Sequence, residues 1–436
     1  MLSTQDNEKI TRVGRGTPMG ELLRRFWVPF LQAWELPEPD CDPVRVTLMG
    51  ERLVAFRDTN NQLGLVSKYC PHRRADLFFG RNEEGGLRCT YHGWKFDVAG
   101  ACVDMPTESP ERRFGEKVRL TAYPVVERAG VLWAYLGPKN LMPEMPEFEW
   151  MHVPESHRHI SWNHQETNFV QAVEGGIDSA HVNFLHSSVD AHRQKDNEPV
   201  KEGARDLAAA YMNLDTQPKF HVQKTGYGLV IGARRSAGKD GYYWRLNNFF
   251  VPFYTTPPGT SWHAFVPLDD EHTARWCVTW RIDRPYTAAE MAQFRKGMSI
   301  HSELIPGTHF PTHNKSNDYQ IDRYTQRHYT FTGIKDFGAQ DYSVQEGMDP
   351  ISDRSQEHLG MTDAGIIQMR RMLLSAATDL QEGTEPVWAN NGEAYLVHGA
   401  QMLLPEDAVW GEDDGFTEAT AGTWWNGEKS SSKASK

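Results

Sequence analysis

Cys70-Pro71-His72 and Cys89-Thr90-Tyr91-His92 are two mixed cysteine–histidine pairs separated by sixteen residues. Two thiolates and two imidazoles suit an asymmetric 2Fe–2S cluster, with both sulfur ligands on one iron and both nitrogens on the other. Imidazole is neutral where thiolate is anionic, so the reduced cluster is less destabilised and the potential rises. Such a centre passes single electrons and does no chemistry on a substrate. The same four residues could instead hold structural zinc. Zinc knuckles usually pair like with like, however, and here each pair is mixed, the first with one intervening residue. The cluster is the better reading.

A second set follows as Glu174-x3-Asp178-x2-His181-x4-His186. Two imidazoles and one carboxylate leave positions open on a metal, the arrangement of non-haem Fe(II) oxygenases. Alone, two histidines on a helix are as readily solvent-facing or core residues. A five-residue spacing also leaves one face of an ideal helix. It calls for a distorted or ending helix, and Gly175-Gly176 makes irregularity plausible. The two sets support each other, because an electron carrier needs somewhere to send its electrons.

The elements that must position these residues divide in two, as 436 residues lead one to expect. Thr17-Pro18 opens a short helix, with threonine as cap and proline in the first turn. Strands are expected at 44–48, 53–56, 63–66, 123–126 and 131–135, interrupted by the two cysteine–histidine loops. That describes a small all-β domain, closed by a proline-rich linker from Pro138 to Pro146. Beyond it a helical stretch is expected over about 166–186, then antiparallel strands near 228–235, 242–251, 261–266 and 275–282. Thr287 to Glu290 reads as a capping box, and Thr362-Asp363 as the start of a helix that Gly383 stops. The class is α+β, with an N-terminal segment 1–36, a cluster domain 37–140, a catalytic domain 141–425 and a disordered serine-rich tail 426–436.

Composition narrows the classes. A net charge of −12 argues against nucleic acid or an anionic membrane as partner. The polar, acidic start is unlike a signal sequence, and no apolar run is long enough to span a bilayer. Cys41, Cys102 and Cys277 remain beyond the cluster ligands, an odd number that makes a disulfide framework unexpected. A soluble cytoplasmic protein is expected.

Tyr91-His92-Gly93-Trp94-Lys95-Phe96, the mixed pairs and the Glu174–His186 segment, in this order and separation, resemble the oxygenase (α) subunits of Rieske non-haem iron aromatic-ring-hydroxylating oxygenases. Ala75 and Tyr91 stand where respiratory Rieske proteins carry two further cysteines, which disfavours that subfamily. Glu174-Gly-Gly-Ile-Asp-Ser-x-His-Val-x-Phe-Leu-His186, Gly85–Cys89, Gln340–Glu346 and Thr362–Ile367 resemble the phthalate dioxygenase group.

The resemblance implies a Rieske β domain followed by a helix-grip-like antiparallel-sheet catalytic domain. It implies Cys70, His72, Cys89 and His92 as cluster ligands, and His181 and His186 as ligands of a mononuclear iron. The third ligand is matched by Asp341, with Asp336 and Asp349 as weaker candidates. Asp178 matches a bridging aspartate that links His92 of one subunit to His181 of the next. Asn168 is placed at the border of the iron, and Glu174 is either structural or on the electron path. It also implies a trimer or paired trimers, O₂ as co-substrate, electrons from a separate NADH-dependent flavin and 2Fe–2S reductase, and a cis-dihydrodiol product.

The substrate is the least defined part. A benzene dicarboxylate such as phthalate needs its charge matched, which arginine does bidentately. Arg205, Arg234, Arg235 and Arg245 fall in the expected pocket region, and strand alternation turns only one of Arg234 and Arg235 inward. Arg205, Arg245 and Ser179 are the favoured contacts. Alternatives are a monooxygenase or O-demethylase acting on another aromatic acid, such as isophthalate or a methoxybenzoate, and, from a different class, an electron carrier alone.

Overall fold

A computed structural model describes residues 1–189, 211–212, 214–297, 299–411 and 414–422. It forms two compact units. The smaller comprises Val13–Met145 with Leu268–Asp270, and the larger the described residues of Met1–Arg12, Pro146–Pro267 and Glu271–Lys436. The expected segment 1–36 is therefore no piece of its own. Helix α1 (Thr4–Thr11) belongs to the larger unit and helix α2 (Pro18–Leu23) to the smaller. Side-chain bonds explain the division. Lys9 Nζ donates to Thr378 Oγ1 at 2.7 Å and Asn7 Nδ2 to the Ser352 carbonyl at 2.9 Å, tying α1 to the C-terminal half. Buried Arg24, just after α2, donates to the carbonyls of Val13, Gly20 and Met49 and pairs with Glu51 at 2.8 Å.

The smaller unit is built of short antiparallel strands in three sheets. One contains β1 (Trp27–Gln32), β10 (Val125–Arg128) and β11 (Val131–Tyr135). A second contains β2 (Val44–Leu48), β3 (Glu51–Arg57), β4 (Leu63–Ser67) and β9 (Ala122–Tyr123). The third contains β5 (Arg81–Glu83), β6 (Gly86–Arg88), β7 (Lys95–Phe96) and β8 (Cys102–Asp104). Cys70 and Cys89 lie in one buried cluster with Val54, Phe56, Val66, Leu87, Trp94 and Phe96. The thiols thus sit in a dry core rather than on a mobile loop. The linker stays with this unit as far as Met145, since Trp27 Nε1 donates to the Pro143 carbonyl at 3.0 Å.

The larger unit centres on an eight-stranded antiparallel sheet. Its order is β12 (Arg158–Gln165), β18 (Thr273–Trp280), β17 (Ser261–Pro267), β16 (Tyr254–Thr256), β15 (Tyr242–Phe250), β14 (Gly228–Ser236) and β13 (Lys219–Lys224). The eighth strand, β19 (Ala400–Leu404), pairs with the first half of β15. Helix α3 (Phe169–Ile177) packs on β15 to β18, and two further helices are α4 (Ala288–Phe294) and α5 (Arg323–His328). Helix α6 (Phe337–Gln345) touches α3, and α7 (Ala364–Gln381) packs on β13.

The expected helix over 166–186 is shorter than its pattern suggested. It ends at Ile177, Asp178 is extended, and a single 3₁₀ turn covers His181–Asn183. Gly175 and Gly176 lie in the last turn of the helix, just before the break. A Cβ on Gly176 would stand 2.6 Å from the Phe265 ring, and one on Gly175 would strike the Gln345 side chain. They are small so that β17 and α6 can approach. Real Cβ contacts that short do not occur.

Candidate active site with two metal-binding groups

The two cysteine–histidine loops fold alike. Cys70 N donates to the Ala75 carbonyl at 2.9 Å and Arg74 N to the Cys70 carbonyl at 2.9 Å. In the second loop Cys89 N donates to the Trp94 carbonyl at 2.8 Å and Gly93 N to the Cys89 carbonyl at 2.9 Å. Arg74 and Gly93, each four residues after its cysteine, both take a left-handed conformation, with φ of 64° and 76°. The repeated turn aims each cysteine inward and carries its histidine outward. The Cys70 and Cys89 thiols touch, and the His72 and His92 rings lie 4.4 Å apart. Trp94 stacks on His72 at 4.3 Å. Burial, and then the neighbouring Cys89, pushes the Cys70 thiol up to about 11. A thiolate pair there needs a cation to neutralise it, and two thiolates plus two imidazoles fit the donor set of the cluster.

In the larger unit His181, His186 and Asp341 each offer a ligand atom, all within 4.8 Å of one another. They form the one such group among the described residues. His186 Nε2 is 3.2 Å and His181 Nε2 3.7 Å from Asp341 Oδ1. The outer nitrogen of each ring is held separately. Asp178 Oδ2 lies 3.3 Å from His181 Nδ1, and its Oδ1 accepts from Ala180 N at 2.7 Å. Gln340 Oε1 lies 2.7 Å from His186 Nδ1. Gln340 Nε2 donates to the Ile334 carbonyl at 2.8 Å, which fixes the amide so that its oxygen faces the ring. His186 Nδ1 must then carry the proton, leaving the Nε2 lone pair for a metal.

Helix α6 supplies three of these contacts from one face. Phe337 stacks on His186 at 4.0 Å, Gln340 holds its Nδ1, and Asp341 completes the group, at positions i, i+3 and i+4. Asp336 is the cap of that helix, accepting from Ala339 N at 2.8 Å, and is not in the group. Asp349 is not in it either. Burial works against charge on Asp341, but the His186 bond and the charges of His186, His181 and Arg275 together outweigh it and hold the carboxyl below its ordinary value. The same competition at Asp178, won by His181, lowers the aspartate and raises the histidine. An anionic carboxylate among imidazoles whose free nitrogens converge fits a divalent iron.

A cavity of about 200 Å³ opens on this group, walled by Val182, Phe265, Ile300 and Phe337 and by the polar Arg245, Asn247, Ser261, His263 and Arg275. Arg275 is engaged, with Nη1 donating to Tyr342 Oη at 2.6 Å and to the Ile300 carbonyl at 3.2 Å. Burial, and then the Arg275 charge, pushes His263 down to about 3, so it is neutral. Among the described residues Arg245 makes only a 3.5 Å contact to Tyr243 Oη, and its Nε is buried without a partner there.

Other expected residues lie elsewhere. Asn168 does not border the cavity. It caps α3, accepting from Val170 N at 3.1 Å, while its Nδ2 donates to the Thr11 carbonyl at 2.9 Å. A fully buried amide occupied by its own backbone is not available to substrate. Ser179 is absent from the cavity wall, its hydroxyl buried without a partner among the described residues. Its carbonyl accepts from Arg235 Nη2 at 2.8 Å, and the same nitrogen bonds Asn183 Oδ1 at 2.7 Å. Arg235, which is wholly buried, thus clamps the turn that carries His181. Arg234 turns to the other face, over the Tyr242 ring at 4.1 Å. Glu174 bridges Arg354 and Arg370, at 3.1 and 2.7 Å. Arg205 and the tail 426–436 lie outside the described residues. Gln340 and Asn247 were not anticipated. Gln340 had a signal, the i, i+3, i+4 spacing with Phe337 and Asp341, while nothing in the sequence marks Asn247.

These two donor sets, in a small β unit and a sheet-and-helix unit, define an electron-fed oxygenase. Residues 26–124 match the Rieske [2Fe-2S] domain family and residues 134–425 the LigXa C-terminal domain like family. The chain belongs to the Rieske non-haem iron oxygenases, whose oxygenase subunits carry a 2Fe–2S cluster and a mononuclear iron. It is 37% identical to the 3-chlorobenzoate-3,4-dioxygenase oxygenase subunit of Comamonas testosteroni, over 94% of this chain and 97% of that one. It is 35% identical to the phthalate 4,5-dioxygenase oxygenase subunit of Pseudomonas putida, over 94% of each. The fold is that of Pseudomonas putida CBB5 NdmA with caffeine, with a TM-score of 0.57 and 18% identity over 90% of this chain and all of that one. Dicamba monooxygenase bound to dicamba gives a TM-score of 0.56 at 17% identity, over 83% of this chain and 99% of that one. The chain is therefore an oxygenase subunit of the aromatic dioxygenase and demethylase type. No helix among the described residues is long and apolar enough to cross a membrane.

Proposed function

We propose that this subunit cis-dihydroxylates an aromatic carboxylate, with phthalate as the preferred substrate. The observation that carries the reading is Arg245. It is a guanidinium without an acidic partner among the described residues, in the wall of a small, largely apolar cavity that opens on His181, His186 and Asp341. Arg245 is half-buried, with its Nε inaccessible, and a guanidinium so placed gains from an anionic group that pairs with it. Both relatives above are named for aromatic carboxylates.

In this reading Cys70, His72, Cys89 and His92 hold the cluster, and His181, His186 and Asp341 hold the iron. The iron supplies activation of O₂, and the cluster supplies electrons one at a time. The chain's own residues do the rest. Arg245 binds the carboxylate and sets the ring's orientation, Phe265, Ile300 and Phe337 exclude water, and Asp178 and Gln340 keep both imidazoles in the ligating tautomer. Electrons come from a separate NADH-dependent reductase. Asp178 couples His181 to His92 of a neighbouring copy in a ring-like homo-oligomer; its side chain is still 23% exposed, which leaves lone pairs free for that contact. The test is product analysis with reductase, NADH and ¹⁸O₂. The reading expects a cis-dihydrodiol of phthalate with both oxygens labelled. A singly labelled phenol or a demethylated product from another aromatic acid overturns it.

A further inference from the structure

Asn247 and Asn248 are neighbours on β15 with opposite fates. Asn248 is fully used, accepting from Tyr227 Oη at 2.6 Å and donating to Thr256 Oγ1 and the His398 carbonyl, each at 2.9 Å. Asn247 is 4% exposed, its Oδ1 is buried without a partner among the described residues, and it lies in the cavity wall. A buried amide left unbonded costs free energy that a fully apolar side chain would avoid. Strand alternation puts Asn247 on the same face as Arg245, two residues and about 6–7 Å along the strand. Ser261 and His263 of β17 join them in the polar part of the wall, while the groups across the cavity are apolar or engaged.

We infer that Asn247 reads a second hydrogen-bonding substituent on the ring of an aromatic acid whose carboxylate Arg245 holds. This rests on the aromatic-carboxylate reading and narrows it. No bond fixes which end of the amide is which, so it turns its N–H to a second carboxylate or its C=O to a hydroxyl. A ring halogen satisfies neither end. A site with a buried hydrogen-bonding group rejects the analogue that leaves that group unpaired. The selected class is therefore a benzene dicarboxylate or hydroxybenzoate rather than a halobenzoate.

The experiment compares kcat/KM for phthalate and 3-chlorobenzoate in the parent protein, Asn247→Leu and Asn247→Asp, with phthalate binding measured anaerobically by calorimetry. The parent should favour phthalate. Asn247→Leu should lower the phthalate to 3-chlorobenzoate ratio by about tenfold or more, because only phthalate loses a bond. Asn247→Asp keeps the shape and should weaken phthalate binding further by charge repulsion, a result that stands even where the leucine variant folds poorly. A ratio that stays within about twofold in both variants overturns the role of Asn247 and leaves the aromatic-acid reading intact. A parent protein that neither binds nor converts either acid overturns that reading and this inference together.

Discussion

Gln340 shows how much can depend on one neutral side chain. Its amide is locked by the Ile334 carbonyl, and its oxygen in turn locks His186. Gln340→Leu should leave the cluster absorbance as it is while weakening the mononuclear iron roughly 10–100-fold, the usual effect of losing such an outer partner. Iron retained after dialysis against a graded chelator series measures it, and parent-like retention removes Gln340 from the role. At the cluster, His92→Cys exchanges a neutral ligand for an anionic one, so the reduction potential should fall. A voltammogram with an unshifted midpoint would take His92 out of the ligand set.

Between residue and fold, helix α3 carries the site on one flank and a buried ion network on the other. Gly176→Ala would push a methyl into the Phe265 ring, and the expected cost is about 1–3 kcal/mol with a displaced His181 turn. Denaturant melts would show it, and a stability equal to the parent's would mean that β17 yields freely. Glu174 faces Arg354 and Arg370, which are 0% and 3% exposed. Burial alone would raise its carboxyl, but the two guanidinium groups outweigh burial and hold it below the ordinary glutamate value. A depressed folded-state pKa gives stability that is present above the unfolded pKa and is lost as pH falls through the folded one. Acid should thus weaken the α3–α7 contact only below the usual glutamate range. Glu174→Gln should cost about 3–5 kcal/mol near neutrality, because buried Arg354 loses its carboxylate partner while Arg370 keeps Glu357. The same variant should lose the share of the acid dependence that Glu174 contributes, and a variant melting like the parent at every pH would contradict the account.

For the whole molecule, the two donor sets belong to separate compact units, so their metals should be separable. The intact protein should contain about three irons and two sulfides per chain. His181→Ala should bring this to about two and two, with the Rieske spectrum retained and oxygenation lost. Asp178→Asn should keep all the metal and remain reducible by the reductase, yet form almost no product, because the coupling between copies is broken. Normal single-turnover transfer in that variant, or full activity in a sedimenting monomer, would refute the coupling.

Legibility followed the range of the interactions. Cys70, His72, Cys89 and His92 are written in two short loops, and the Thr17 and Thr287 caps in single turns, so local spacing sufficed to find the caps and to single out four side chains that the fold brings together. Strand 44–48 matched its pattern because one apolar face meets the core, and 131–135 because a continuous apolar run is buried on both faces. Strand β12 was missed: His159, Ser161, Asn163 and Gln165 alternate with Ile160, Trp162 and His164, and a period-two pattern with polar groups on both faces looks like a loop until its pairing with β18 is known. His181 and His186 were visible as a pair. That Asp341 rather than Asp336 joins them was beyond spacing, since it depends on how α6 docks more than 150 residues downstream. Asn168 was misplaced at the border of the iron for the same reason, as an amide that caps a helix and one that borders a cavity differ only in what stands opposite. The sequence by itself determined the chemistry available: thiolate, imidazole, carboxylate and guanidinium. Tertiary structure decided which of them converge, because register and helix docking are set by long-range packing that no local window contains.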